Sequence, residues 1–340
     1  MIEGNWSSAA LPFRYRVLAP LLASVMPFAP TDSLKIVSYV SLFLGYVFII
    51  LSCTKLDLTI GQSAIGLLSV WASTVHLYNY HNPFLTDSLG FLMTCAMIYA
   101  LLTDNFTVFL VAAFLGVLTR ESIVFLAPVW LIRDVKRAVV LTIGCIVGLL
   151  VLRHMLGSQD SMMLISAFRR TGVFNLEHPM AYGATVFLCW SYVWFLALMG
   201  MWYLPMKQFI VLSGAFVVLL VGAFFTSMVA TDTGRMFSVL LPVFAVACAR
   251  LYAVTEHHNR VFGLLLLSLF VLQPFLSRPN ILFSEGSWAF SSSARYAVAF
   301  VGTAFCALLL LVLRKSFAAE VQAKISHLYA VAVSQRARTK

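Results

Sequence analysis

Apolar residues run along this chain in long blocks, and most polar and charged residues fall in the short stretches between them. A helix crossing roughly 30 Å of hydrocarbon needs about 20 such residues. Nine blocks come close to that length: 34–53, 60–78, 84–102, 138–156, 183–204, 208–228, 236–253, 261–277 and 296–313. A further stretch, 106–132, is divided by the polar break Thr119-Arg120-Glu121. Each half is short for a span, so the pattern predicts two thin or tilted helices meeting at a charged, solvated turn. Counting both gives eleven expected crossings. No β-alternation of useful length and no fixed repeat is present.

The segments outside these blocks read differently. Residues 11–29 are short and proline-broken, which fits an outer-surface or half-inserted segment, and 1–33 is read as one outer, interfacial stretch. Met162, Met163, Leu164 and Ile165 precede Arg169-Arg170, which predicts an interfacial amphipathic helix within 157–182. The expected organisation is a single polytopic domain over 1–313, followed by a basic cytoplasmic tail, 314–340, which reads as a helix resting on anionic lipid.

Composition turns this pattern into a class. The chain of 340 residues is 61% hydrophobic and 11% charged, where soluble domains are about 45–50% apolar and about 25% charged. So few charged side chains cannot cover so much Leu, Val, Phe and Ala. Soluble enzymes, disordered tails and disulfide scaffolds are excluded, and the fold class is an all-α integral membrane bundle of about nine to eleven spans. The six cysteines stand singly in apolar runs, without a C-x-x-C pair, and read as lipid-facing or packing residues. The first 33 residues lack the pattern of a secretory signal.

A net charge of +10 would point to nucleic acid in a soluble chain. Here no basic patch with interleaved aromatics occurs, so nucleic acid is not an expected partner, whereas membrane lipid is. Arg133, Lys136 and Arg137 share one short loop, and the tail carries Arg314, Lys315, Lys324, Arg336, Arg338 and Lys340. Placing both clusters in the cytoplasm puts the N-terminus outside and the C-terminus inside. Thirteen basic residues then lie inside and ten outside. Nine of the outer ten are arginines, whose planar fork suits phosphate or carboxylate. Either these arginines pair with outer acids and snorkel, or they line an outward-facing anion site.

Four polar clusters fall at expected outer helix ends or breaks, where ionisable groups near the membrane point to function. They are Arg14-Tyr15-Arg16, His81 to Asp87, Thr119-Arg120-Glu121, and Thr231 to Arg235 with Asp232 inside it. An extended backbone would put Arg14 and Arg16 on one face. Plainer roles exist for each: Asp87 as a helix cap, Arg120 and Glu121 as bundle-holding pairs, Asp232 and Arg235 as a weak surface pair. Zinc-protease, serine-hydrolase and phosphate-loop motifs are missing.

Three of these features together resemble the GT-C superfamily of multispanning glycosyltransferases. They are an outer-loop acid heading a span (Phe84-Leu85-Thr86-Asp87), short helices broken at Thr119-Arg120-Glu121, and an upstream Arg-Tyr-Arg-x-Leu-x-Pro. The turn Asp232-Thr-Gly-Arg235 before a proline-containing span also recurs in bacterial membrane proteins of this type. The resemblance covers roughly 11–132 and 230–245. It implies a multi-pass protein of a bacterial inner membrane, acting in polysaccharide assembly with a polyprenyl-phosphate sugar as donor. Such enzymes usually begin with a cytoplasmic N-terminus, a first span and then an outer loop bearing the catalytic acid. This sequence starts at what would be that loop, where Glu3 is the only acid, which leaves two expectations: a start assigned late, or a fold without the first helix.

The expected activity is therefore sugar transfer at the outer face of the membrane. Glycosyl transfer needs a base for the acceptor hydroxyl and positive charge for the leaving phosphate. Asp87 is the first candidate base, with Glu121 and Glu3 behind it. Arg14, Arg16, Arg120 and Arg235 are the candidate phosphate contacts, supported by Tyr15, His81 and Asp232. A divalent metal is allowed by the resemblance, although no carboxylate pair secures it and no metal ligands are assigned. The competing expectations are a transporter or flippase of an anionic lipid or polysaccharide precursor, and a non-catalytic partner in envelope assembly.

Overall fold

The computed structural model describes residues 16–71, 87–155, 160–190, 192–228, 236–276 and 292–338. Among them lie thirteen α-helices and two 3-10 helices, and no strand. In chain order these are α1 (Leu18–Ser24), α2 (Pro30–Thr54), α3 (Ile60–Trp71), α4 (Asp87–Thr103), α5 (Phe106–Val117), the 3-10 helix η1 (Glu121–Ile132) and α6 (Val135–Met155). There follow α7 (Asp160–Glu177), α8 (Pro179–Trp190), α9 (Val193–Trp202), α10 (Met206–Ser227), η2 (Phe237–Leu240), α11 (Leu241–His258), α12 (Arg260–Leu276) and α13 (Ser292–Arg338). Five helical stretches are long and apolar enough to cross a membrane: α2, most of α6, α10, η2 with α11, and the central part of α13. Six shorter apolar helices fill the remaining expected spans. The protein is an all-helical chain of multi-pass membrane character.

Side-chain contacts fix the helix directions. Ser38 meets Ser88 and Phe48 meets Tyr99, so α2 and α4 run parallel. Gln62 reaches Glu256 while Gly66 abuts Ala245 and Ala249, so α3 runs against α11. Phe125 faces Gly222 and Ile132 faces Gly214, so η1 runs against α10. In consequence the start of α2, the end of α3, the starts of α4, η1 and η2, and the end of α10 gather at one end of the bundle. Lys55, Arg133, Lys136, Arg137 and Lys207 gather at the other, where Phe317 of α13 packs on Trp202 and Tyr203. Arg314, Lys315 and Lys324 of the second basic cluster thus share an end with the first.

At the centre is α11, sheathed by α3 on one side and α9 on the other. A Cβ on Gly66 would overlap the Ala245 carbonyl oxygen, and one on Gly200 would overlap the Ala247 carbonyl oxygen. Between helices that have already left water, close backbone approach and dispersion replace the hydrophobic drive. The alternation of Ala245, Ala247 and Ala249 with larger apolar neighbours gives α11 two narrow faces for this approach. The five described cysteines, Cys53, Cys95, Cys145, Cys248 and Cys306, are all free and buried, so they are packing residues rather than lipid-facing ones.

Several expectations need correction. Residues 106–132 do form two short helices, but the second is a 3-10 helix of 12 residues with Pro128 inside it. Proline lacks the N–H that an α-helix needs at that position. The 3-10 rise of roughly 2.0 Å per residue lets this segment cover about 24 Å, against about 18 Å for an α-helix. At the turn between them Thr119 and Arg120 are buried rather than solvated, while the Glu121 side chain lies outside the described residues. Over the expected span 183–204 the described residues form two helices, α8 ending at Trp190 and α9 beginning at Val193. α13 runs unbroken for 47 residues through the last expected span and on into the tail expected from 314, and residues 314–338 contain neither glycine nor proline to end it. Lys324 of α13 pairs with Glu320 on the same helix at 2.9 Å and stands 5.5 Å from the ring centroid of Phe209 in α10.

Candidate functional site

Asp87 and Arg120, separated by 33 positions in the chain, form a buried ion pair. Asp87 opens α4, a helix buried along nearly its whole length, so its carboxylate sits in the first turn where the helix dipole favours negative charge. Arg120 is delivered by the bend between α5 and η1. There the Thr119 and Arg120 N–H groups both donate to the Gly116 carbonyl at 2.9 Å, and the Thr119 hydroxyl donates to it at 2.6 Å. Gly116 is required because a Cβ there would stand 2.6 Å from Ile123 Cγ2, which folds back over the bend. Arg120 itself has an extended backbone, and from it the guanidinium enters the bundle.

The guanidinium is held on two sides. Nη1 donates to Asp87 Oδ1 at 3.0 Å, and Nη2 lies 3.2 Å from the thioether sulfur of Met236, just before η2. The Arg120 and Asp87 side chains are 4% and 1% exposed, which makes this a pair removed from water rather than a surface contact. Beside it, the Ser38 and Ser88 hydroxyls share a hydrogen bond of 2.6 Å. The Leu18 N–H donates to the Leu118 carbonyl at 3.2 Å. That contact brings the start of α1 to the bend, with Arg16 two residues before it and Arg120 two residues after. Arg16 is also buried.

Of the expected site residues, Asp87 and Arg120 are therefore in direct contact and Arg16 lies at the same bend. Glu121 opens η1 immediately after Arg120, and its side chain is outside the described set. Glu3, Arg14, Tyr15, His81, Asp232 and Arg235 lie outside the described residues. Two participants were not foreseen. Met236 directly follows the cluster ending in Arg235, and Ser88 directly follows Asp87, so both were one position from a residue that had been singled out.

The described residues do not fit a divalent cation. No group of three His, Cys, Asp or Glu side chains comes together among them, and one Asp87 oxygen already accepts from Arg120. A hard cation takes about six oxygen ligands, so no step is routed through a metal. The arrangement can instead hold an anion near a guanidinium whose position is set by a carboxylate. No protein-family model matches this chain, and no curated protein or solved structure matches it. What stands is an all-helical protein with five candidate membrane spans.

Proposed function

We propose that the chain is a membrane glycosyltransferase of GT-C type, moving a sugar from a polyprenyl-phosphate donor at the outer face. The observation that carries this reading is the buried Asp87–Arg120 pair, placed where three helices begin and where Arg16 docks. Positive charge pre-positioned in a dry site is what a departing phosphate needs. In this reading the donor phosphate competes with Asp87 for Arg120. The released carboxylate then takes the acceptor's proton as the new C–O bond forms and the sugar–phosphate bond breaks. Glu121 and Glu3 are the reserve acids, and Arg14 and Arg235 complete the phosphate contacts.

A transporter of anionic lipid precursors is the second reading. The proline-containing 3-10 helix favours it, because transporter sites are built from discontinuous helices. Sugar transfer from a labelled polyprenyl-phosphate donor in proteoliposomes separates the two, since a transporter moves the lipid across without forming a glycosidic product.

The proposal fixes an orientation. With the basic end of the bundle in the cytoplasm, reporter fusions after Arg137 and after Lys340 will both report cytoplasm. An external signal at either position would put the Asp87–Arg120 pair on the inner side and remove the outer-face reading.

A further inference from the structure

The last helix carries an apolar face beyond the reach of the hydrocarbon. Phe317 packs on Trp202 and Tyr203 at the end of α9, so α13 reaches the basic end of the bundle at Arg314 and Lys315. It runs on without a break to Arg338. At about 1.5 Å of rise per residue, Ile325 stands roughly 16 Å and Tyr329 roughly 22 Å beyond Arg314 along the helix. A tilt of about 40°, the upper limit for spanning helices, still leaves them roughly 13 and 17 Å above that level. The headgroup layer is only about 5–8 Å deep on each side. Yet Ile325, Leu328 and Tyr329 are 51%, 45% and 72% exposed.

Charge separates the covers open to this face. Basic residues stand at the two ends of the segment, at Arg314-Lys315 and from Arg336 to Lys340. Between them, 316–335 holds one acid and one lysine besides His327, and Glu320 and Lys324 pair with each other. Anionic lipid therefore meets no net charge along the apolar face, and two copies of the segment have none with which to repel. The spacing names the partner. Ala318, Val321, Ile325, Leu328 and Ala332 alternate steps of three and four, the repeat of a coiled-coil seam. In that register Ile325 takes the a position and Leu328 the d position, the choice that favours two parallel strands. Lys324, at the edge of the seam, is already turned onto Glu320 and Phe209 of its own chain. We infer that the Ile325–Leu328 face of α13 is a parallel dimer interface with a second copy of this chain. Copies in one membrane share an orientation, so the same patch meets itself across a two-fold axis along the membrane normal. The inference is independent of the transferase reading.

The test uses the full-length protein in phosphatidylcholine vesicles at high lipid-to-protein ratio, with Ile325→Cys, Leu328→Cys and Ala323→Cys made singly. Ala323 is exposed on the opposite side of the helix. The five described native cysteines are buried, away from a soluble bismaleimide. That reagent should cross-link Ile325→Cys and Leu328→Cys into dimers at least tenfold more than Ala323→Cys. Ile325→Lys with Leu328→Lys should turn the dimer counted by single-molecule photobleaching into a monomer, and the cross-linking decides alone if that variant does not insert. Equal cross-linking at all three positions, or a wild type counted as a monomer, overturns the inference. In nanodiscs holding one copy, a soluble maleimide should modify Ile325→Cys equally fast with and without phosphatidylglycerol. Tenfold slowing by phosphatidylglycerol would mean that anionic lipid covers this face, and would overturn the inference as well.

Discussion

Arg120→Met alone will destabilise the protein by about 3–5 kcal/mol, because it leaves the Asp87 carboxylate charged and buried without its partner. Asp87→Leu alone will do the same from the other side, stranding a guanidinium in the bundle interior. The double variant Asp87→Leu with Arg120→Met should recover most of that loss, since neither residue then brings an unpaired charge into the core. Thermal or denaturant unfolding of the purified protein, read for all four members of the cycle, checks this. An internal control lies nearby: Lys35 and Asp32 also pair, at 3.1 Å, but both are well exposed. Lys35→Met should therefore change stability by less than about 1 kcal/mol. Single variants as stable as the wild type would show that the pair is solvated and that the described burial is wrong.

The second large effect is steric. Gly200→Val should destabilise by about 1–3 kcal/mol or more, because the new side chain must displace the backbone of α11 at Ala247. Gly66→Val should act similarly through Ala245 on the opposite face of the same helix. Gly148 and Gly183 are the contrast, since a Cβ at either meets nothing within 4 Å. Gly148→Ala lies within α6 and should be neutral or slightly stabilising, because alanine favours the helix. Expression level and melting temperature in detergent distinguish these outcomes. Gly200→Val at wild-type stability would mean that α9 and α11 are further apart than the structure places them.

Helix existence was legible in the sequence because a membrane chain writes its spans as apolar blocks. The break at Thr119-Arg120-Glu121 was legible too, since polar residues inside such a block demand a reason. What the sequence did not reveal was where Arg120 goes. Cost arguments about charge in lipid predicted a solvated turn, yet a buried partner satisfies the same requirement, and nothing local to residue 120 names Asp87. The winding of η1 was similarly hidden: Pro128 announces an interruption, but not a whole segment rewound to a 3-10 helix. The last 27 residues read as a helix in their own right, and α13 joins them to the span without a break. Charge at Arg314 and Lys315 marks a membrane boundary, and a boundary in environment is not a boundary in helix.

The same pair carries the functional argument, and its two roles come apart in one experiment. A structural staple and a catalytic pair both predict damage from either single substitution, so single variants alone decide nothing. The folded double variant does. Sugar transfer from a labelled polyprenyl-phosphate donor should be measured in proteoliposomes for the wild type and for Asp87→Leu with Arg120→Met, with inserted protein and melting temperature matched. The account predicts transfer by the wild type and none by the stable double variant. Transfer at the wild-type rate by the double variant, or no transfer by well-folded wild type across a panel of donors and acceptors, would contradict it.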